Sequence, residues 1–293
     1  MGSVQALIDE TLGHLLSLER EEQNKTATTV SATDTTLTFQ YDLSAVQPGS
    51  YISYALELMR VWEVNESNKT AVVERGQLGS TAAAIVAGAV VTVNPKFPQF
   101  RILQQLNSEL RSLPGEGLFR MTTVDLTSVA GQYGYNLTNV TDMLDVYKVA
   151  WAAPGTEQFW PRIRDYTVER QASTTDFASG FGIIVKEAPY PGVVLRVWYK
   201  APFTELSTLG QDVASASGLP ASALDILTLG ASARIMAARE AKRSFTESQA
   251  DTRRATEVGS GAASRSAAAL LSLRTERISS EINRLHAQWP PLR

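Results

Sequence analysis

The strongest constraint on this chain is a switch in hydrophobic period, from helical to alternating and back, which divides it into four blocks. From Val4 to about Gln23, Leu7, Ile8, Leu12, Leu15, Leu16 and Leu18 recur at helical spacing, with the acidic end Glu19 to Glu22 facing water. From about Thr26 to Asn94 the pattern becomes that of strands. Leu37, Phe39 and Tyr41 alternate with polar residues, as do Ile52, Tyr54, Leu56 and Leu58. Val61–Val64 and Thr70–Val73 flank the turn-forming run Asn65–Lys69, a hairpin signature, and Val90–Val93 closes the module before Pro95. A helix is predicted over Pro98–Leu113, with Ile102, Leu103, Leu106, Leu110 and Leu113 on one face and Pro114-Gly115 as its stop. The β module therefore reads as an insertion between two helices that can pack as neighbours.

The third block, about Gly117 to Phe203, offers strands at Phe119–Leu126, Met143–Trp151, Tyr166–Arg170, Gly182–Lys186 and Val193–Tyr199. Short strands separated by Gly, Pro, Asn and Ser-Thr clusters suggest a sandwich or half-barrel rather than βαβ units. The fourth block is helical: Ser222–Phe245, a small-residue linker, and a final helix carrying Leu270, Leu273, Ile278, Ile282, Leu285 and Trp289, ended by Pro290-Pro291. The predicted class is α+β: a helical bundle with an inserted β module, a central β sandwich or half-barrel, and a C-terminal helical hairpin. The corresponding domains are 1–114, with the β module at about 26–94; 115–204; and 205–293, with a flexible linker at about 258–264.

Composition narrows the function. At 44% hydrophobic and 19% charged, the 293 residues can bury a real core. Lys and Arg total 27 against 30 Asp and Glu, a net charge of −3, so no basic excess marks a general nucleic-acid binder. The densest basic stretch, Arg234 to Arg254, is interrupted by Glu240, Glu247 and Asp251 and reads as a solvated helix face. There is no cysteine, and His14 and His286 are the only histidines, which leaves thiol chemistry no material and histidine dyads or metal sites almost none. The N-terminus lacks the basic and apolar regions of a secretory signal, and the apolar stretch Thr81–Val93 is too short to span a bilayer, so a soluble protein with no membrane partner is expected.

Motifs for catalysis are missing or weak. Gly180-Phe-Gly182 precedes a strand-like run rather than a helix, and Gly76–Thr81 lacks the lysine of a phosphate loop. Asp125, Asp142 and Asp145 are carboxylates in sequence proximity, the raw material of glycoside hydrolysis, but nothing places two of them in a cleft. No GxSxG occurs. No enzyme activity, cofactor or metal is therefore expected. Asn-x-Ser/Thr triplets at Asn24, Asn65, Asn68, Asn136 and Asn139 read as polar turns. Trp62, Trp151 and Trp198 lie in strand-like runs and read as core, whereas Trp160 beside Pro161 and Trp289 beside Pro290 are candidates for contact with another subunit.

Two stretches carry a resemblance. Val73-Glu74-Arg75-Gly76-Gln77-Leu78-Gly79-Ser80-Thr81-Ala82-Ala83, followed by Gly88 and Val90-Val91, resembles an ERGxxGTxAAxHxxGxxV pattern of phage virion proteins, with Ser80 inserted and Ile85 where histidine often stands. Asp225–Arg234, Ala238–Glu240, Asp251–Glu257 and Arg277-Ile278 to Trp289-Pro290 resemble the C-terminal part of connector proteins of actinobacterial siphophages. The resemblance implies a head-to-tail connector, or adaptor, in the neck of a tailed bacteriophage. Such a virion structural protein is made in the host bacterial cytoplasm and forms a homo-oligomeric ring, often twelvefold. It docks on the portal protein, meets stopper or tail-completion proteins, and encloses the passage for DNA. The implied contact residues are Arg75, Gly76, Gly79 and Thr81 in the β insertion, Trp160, and Leu273, Ile278, Ile282, Leu285 and Trp289 on the last helix. Truncation after about Val258 is expected to abolish docking while leaving a soluble fold. A baseplate or tail-tip attachment protein, and more remotely a carbohydrate-binding or carbohydrate-active β sandwich, are the alternatives.

Overall fold

In a computed structural model of the chain, the described residues are 2–16, 21–138, 140, 142–153, 159–186, 190–247 and 262–291. Mixed helices and sheets give the expected α+β class. The chain divides into two compact units, Met1–Leu110 with Glu205–Ile278, and Arg111–Thr204 with Ser279–Arg293. Residues 205–278 of the C-terminal helical region fall in the first unit and 279–293 in the second. The linker expected at 258–264 lies outside the described residues up to 261.

The first unit begins with α1 (Val4–Leu16), whose Val4, Leu7, Ile8 and Thr11 are buried. Its start is tied down by backbone bonds from Val4 N to Gln211 O (3.0 Å) and from Val213 N to Gly2 O (2.9 Å). Helix α2 (Gln99–Ser112) buries Ile102, Leu103, Leu106 and Leu110, the apolar face read from its sequence, together with Glu109. A short helix missed by periodicity, α3 (Val213–Ser217), starts where the Asp212 carboxylate accepts from Ser215 N at 3.1 Å. Helix α4 (Leu224–Glu247) packs on α1 and buries Ile226, Leu227, Ala231 and Ala233. The window Ala221–Ala238 is long and apolar enough to cross a membrane by length and composition, a stretch the sequence reading passed over in favour of Thr81–Val93. In this unit its apolar residues supply core. Helix α5 (Ala262–Gln288) begins in the first unit and ends in the second.

Between α1 and α2 the chain builds six antiparallel strands: β1 (Glu22–Lys25), β2 (Thr36–Thr38), β3 (Tyr51–Tyr54), β4 (Glu57–Asn65), β5 (Thr70–Glu74) and β6 (Val90–Val93). Their order is β1-β6-β3-β4-β5-β2. The ends of that row meet: Ala27 N donates to Thr38 O (2.7 Å), Gln40 N donates to Lys25 O (2.8 Å), and Thr26 bridges Phe39. The sheet therefore curls round until its ends meet in a barrel, filled by Leu37, Phe39, Ile52, Met59, Ile85, Val91 and their neighbours. The closure corrects one boundary. Glu22 and Gln23, read as the end of the first helix, are strand, because Glu22–Lys25 pairs residue for residue with Val93–Val90. Ladder pairing with β6 outweighs the local preference of an acidic run. The stretch Ile52–Leu58 is likewise two strands, not one, joined by a tight turn with Ala55 in the left-handed region (φ 49°). Trp62, read as core, stands outside the barrel and is 58% exposed, with Arg60 5.2 Å from its ring. Asn24, read as a turn residue, is buried and donates its amide to Asp42 O at 2.9 Å.

The second unit holds β7 (Arg120–Thr127), β8 (Gly134–Asn136), β9 (Asp145–Trp151), β10 (Arg162–Ile163), β11 (Tyr166–Arg170), β12 (Phe181–Val185) and β13 (Val194–Ala201). They form one sheet in the order β10-β9-β13-β7 and another in the order β11-β12-β8, all antiparallel. Tyr135, Leu137, Val149, Ile163, Ile183, Val185, Leu195 and Val197 from both sheets share one core, which makes this a sandwich. Gly134 and Gly182 form a flat seat for the Phe177 ring; a Cβ at position 182 would come within 2.7 Å of that ring. Gly182→Ala is therefore expected to lower unfolding free energy by about 1–3 kcal/mol, the usual cost of overpacking, as read from a denaturant melt. The C-terminal end of α5 belongs here. Ile282 lies 3.6 Å from where a Cβ on Gly117 would stand, and Trp289 packs edge-on against Tyr147 with ring centroids 5.6 Å apart.

Candidate functional site

The loop that follows β5 contains four of the implied contact residues. Its geometry is set by a buried ion pair. Glu57, at the start of β4, has a fully buried side chain, and Arg75, one residue past β5, is 7% exposed. Arg75 donates from Nε to Glu57 Oε1 and from Nη2 to Oε2, both at 2.7 Å. Its remaining N–H groups go to the backbone oxygens of Ser31 (2.8 Å), Asp34 (2.9 Å) and Ala83. All five guanidinium donors are thus used inside the barrel, which is the geometry arginine supplies and lysine cannot. Glu57 also accepts from Gly76 N (3.3 Å) and Ala83 N (2.9 Å), so one carboxylate holds both ends of the loop. Asp34, across the same cluster, has its carboxyl held below the usual range, first by the Ser31 backbone N–H.

What this loop presents outward is small. Gly79 and Thr81 are exposed, and Gly76 turns in the left-handed region (φ 64°), where a Cβ would meet Ser80 O at 3.1 Å. Leu78 is 53% exposed and also left-handed, at φ 54°. Ser80, the residue that shifts the register of the phage-like pattern, is buried. Its hydroxyl accepts from Leu58 N at 3.0 Å and donates to Gln77 O at 2.8 Å, so the insertion is absorbed as a structural bond. Beside the loop, Tyr51, Leu58, Leu78, Asn94, Pro95, Pro98 and Arg101 line a groove of about 320 Å³.

Trp160 sits on the outer face of the four-stranded sheet of the second unit. Its ring meets Trp198 edge-on at 5.8 Å; Arg196 lies 4.3 Å from the Trp160 centroid, and Lys148 lies 4.5 Å from that of Trp198. Asp125 accepts from Arg196 Nε and Nη2, both at 2.7 Å. That bonding to Arg196 is the main cause that holds the Asp125 carboxyl below its ordinary range. Because the folded value is depressed, the pair's contribution is present above the unfolded carboxylate range, near pH 4, and is lost as pH falls through the lower folded value. Carboxyl NMR should place the Asp125 midpoint below an ordinary aspartate, and Arg196→Leu should return it to that range.

The implied residues of α5 separate into different settings. Ile278 and Leu285 are buried by their own chain, Ile282 and Trp289 are half-buried, and Leu273 alone of the five is exposed, at 51%. Tyr147 Oη donates to Pro290 O at 2.8 Å, which fixes the end of the helix. The ten implied contact residues therefore do not form one patch: Arg75, Gly76, Gly79, Thr81, Leu273 and Ile278 lie in the first unit, the other four in the second.

Sequence reasoning missed a second buried cluster. Glu109 of α2, 1% exposed, accepts from Arg234 of α4 and from Arg274 Nε of α5 at 2.7 Å. Arg277 adds a bond from Nε to Asp225 Oδ2 at 2.6 Å. The signal was present, since Glu109 falls in helical phase with Ile102, Leu106 and Leu113, a charge inside an apolar stripe. The acids weighed for glycoside chemistry are paired otherwise: Asp125 with Arg196, and Asp145 with Arg170 and Lys200. His14 and His286 are exposed helix residues, and among the described residues no three metal-ligand side chains cluster. Comparison of the chain with protein-family models and with curated proteins finds no match.

Proposed function

We propose that this protein is a structural subunit of a tailed-phage virion, a head-to-tail connector whose copies form a ring between portal and tail around the DNA passage. The observation that carries the reading is the loop at Arg75–Ala83. The stretch that resembles a phage virion pattern is held at both ends by Glu57 and presents Leu78, Gly79 and Thr81 outward on a rigid base. A fixed loop of small residues suits repeated contact with identical neighbours. The near balance of charge, net −3, suits a passage through which DNA slides, since a basic lining would bind phosphates.

The aromatic face of the sandwich does not favour a carbohydrate-binding role. Sugar stacking needs open ring faces, and cations stand over those of Trp160 and Trp198.

Native mass spectrometry and electron microscopy test the proposal: closed rings, alone or on added portal, support it, and monomers with no affinity for portal overturn it. The truncation after Val258 is a poor probe, because it would remove Arg274 and Arg277 from Glu109 and Asp225 and Ile278 from the core. Leu273→Asp is the sharper variant. It is expected to leave the melting transition within about 0.5 kcal/mol of the parent, as exposed substitutions do, and to abolish capture by portal. Unimpaired capture would remove α5 from the docking surface.

A further inference from the structure

Among the described residues the sandwich has one long edge that no strand pairs. The ends of the barrel sheet meet at Thr26 and Phe39, and β8, β10 and β11, which border the sandwich sheets, are three, two and five residues long. The remaining border strand, β7, runs eight residues in unbroken register with β13. It contains neither proline nor lysine, two of the usual devices against edge-to-edge association, and four of its residues are β-branched: Thr122, Thr123, Val124 and Thr127. Ser128 donates to Val193 O and accepts from Gly192 N. Counting back from it, the even-numbered residues of β7 direct their backbone groups to β13, and Met121, Thr123, Asp125 and Thr127 direct theirs away from the sheet.

The opposite edge of the same sheet is complementary to this one. Trp151 N donates to Pro161 O and Ala153 N to Phe159 O, so residues 159, 161 and 163 turn their backbone groups to β9. Trp160, Arg162 and Arg164 turn theirs outward. Registers place Arg162 beside Ala150, Ala150 beside Arg196, and Arg196 beside Asp125, a single transverse row on one face of the sheet. That row begins with a cation at one edge and ends with a carboxylate, 47% exposed, at the other. Strand directions alternate across the sheet, so β7 of one copy meets the 159–164 edge of a second copy in antiparallel sense.

We propose that β7 pairs with the 159–164 edge of the next copy of this chain, Asp125 opposite Arg162, so that successive sandwich sheets join head to tail. In this register Thr123 falls opposite Arg164, Thr127 opposite Trp160, and Val124 opposite Ile163, both on the core side of the sheet. In this register the outward backbone groups of Thr123, Asp125 and Thr127 meet those of Arg164, Arg162 and Trp160. A contact between two different surfaces of the same chain repeats from copy to copy, and gives a ring where the rotation between copies closes. The proposal rests on the ring reading for its closure, but not for the pairing itself. A single edge is a small interface, so association of the isolated protein should be concentration-dependent.

The chain has no cysteine, which makes disulfide mapping clean. Hydrogen-bonded antiparallel pairs have Cα atoms about 5.5 Å apart, inside the disulfide range. Thr123→Cys with Arg164→Cys in one chain should give an oxidation ladder of multimers, and the two single variants mixed should give dimers only. No cross-link in a sample that native mass spectrometry shows as rings overturns the edge pairing and leaves the ring reading standing. Monomers at every concentration, without cross-links, overturn both. Dimers from Thr123→Cys alone would mean β7 pairing with itself about a two-fold axis, and would overturn the head-to-tail arrangement. As a second probe, Arg162→Glu places like charges opposite each other. It should weaken association by about tenfold or more, and unaltered association of a folded variant would overturn the Asp125–Arg162 register.

Discussion

Glu57→Gln is expected to lower the unfolding free energy by about 3–5 kcal/mol, because it leaves a buried guanidinium without its counter-charge. Glu57 has no exposed side-chain surface and accepts four bonds, two from Arg75 and one each from the backbones of Gly76 and Ala83. An amide in its place offers one acceptor oxygen and turns an N–H₂ toward other donors. Urea or guanidinium melts measure the loss. Arg75→Lys should cost nearly as much, since one ammonium cannot serve the Glu57 carboxylate and the carbonyls of Ser31, Asp34 and Ala83 together. If Arg75→Lys melts like the parent, the fork geometry is not what holds the loop. The double replacement of Glu57 and Arg75 by apolar residues should be milder than either single one, as it removes both charges at once.

Glu109→Gln should produce a loss of similar size, about 3–5 kcal/mol, by a different route. Its carboxylate joins α2 to Arg234 on α4 and to the buried Arg274 on α5, three elements far apart in sequence. The carboxyl also packs directly against Gly230 of α4, where no Cβ fits. Gly230→Ala therefore displaces the same carboxylate without altering its charge, and its effect should not add to that of Glu109→Gln. A double-mutant cycle on thermal or denaturant melts checks this; full additivity would mean that the two residues act independently.

The legible and illegible parts of this chain differ for physical reasons. Tyr166–Arg170 and the long helices were readable because the pattern that forms them is local, an apolar side chain every second residue or every third and fourth. Strands β8 and β10 were missed because two or three residues carry no period. Glu22–Lys25 misled for the opposite reason: its local character is helical, and its strand form comes from β6, almost seventy residues away. Trp62 shows a limit of composition, since strand alternation tells which residues share a side but not which side is the core. Arg75 stood out in sequence. The partner that gives it a role, Glu57, did not, because an acid ending one apolar stretch resembles any turn residue until the barrel folds it inward.

The barrel's closure bears on how the molecule can be taken apart. Its first and last strands are neighbours, Glu22 opposite Val93 and Lys25 opposite Val90, and Lys96 N donates to the Glu21 carboxylate at 2.8 Å just beyond them. The chain thus departs toward α2 from the place where it arrived from α1. To the helices on either side, some seventy residues occupy the opening of a short loop, so little chain entropy hangs on what fills it. Such a cassette can be cut out, bridged by a few glycines, or exchanged for another barrel of the same mouth, with the helical frame left to fold around the gap. A lineage that needed a new outer surface would have been free to trade this part while keeping the rest.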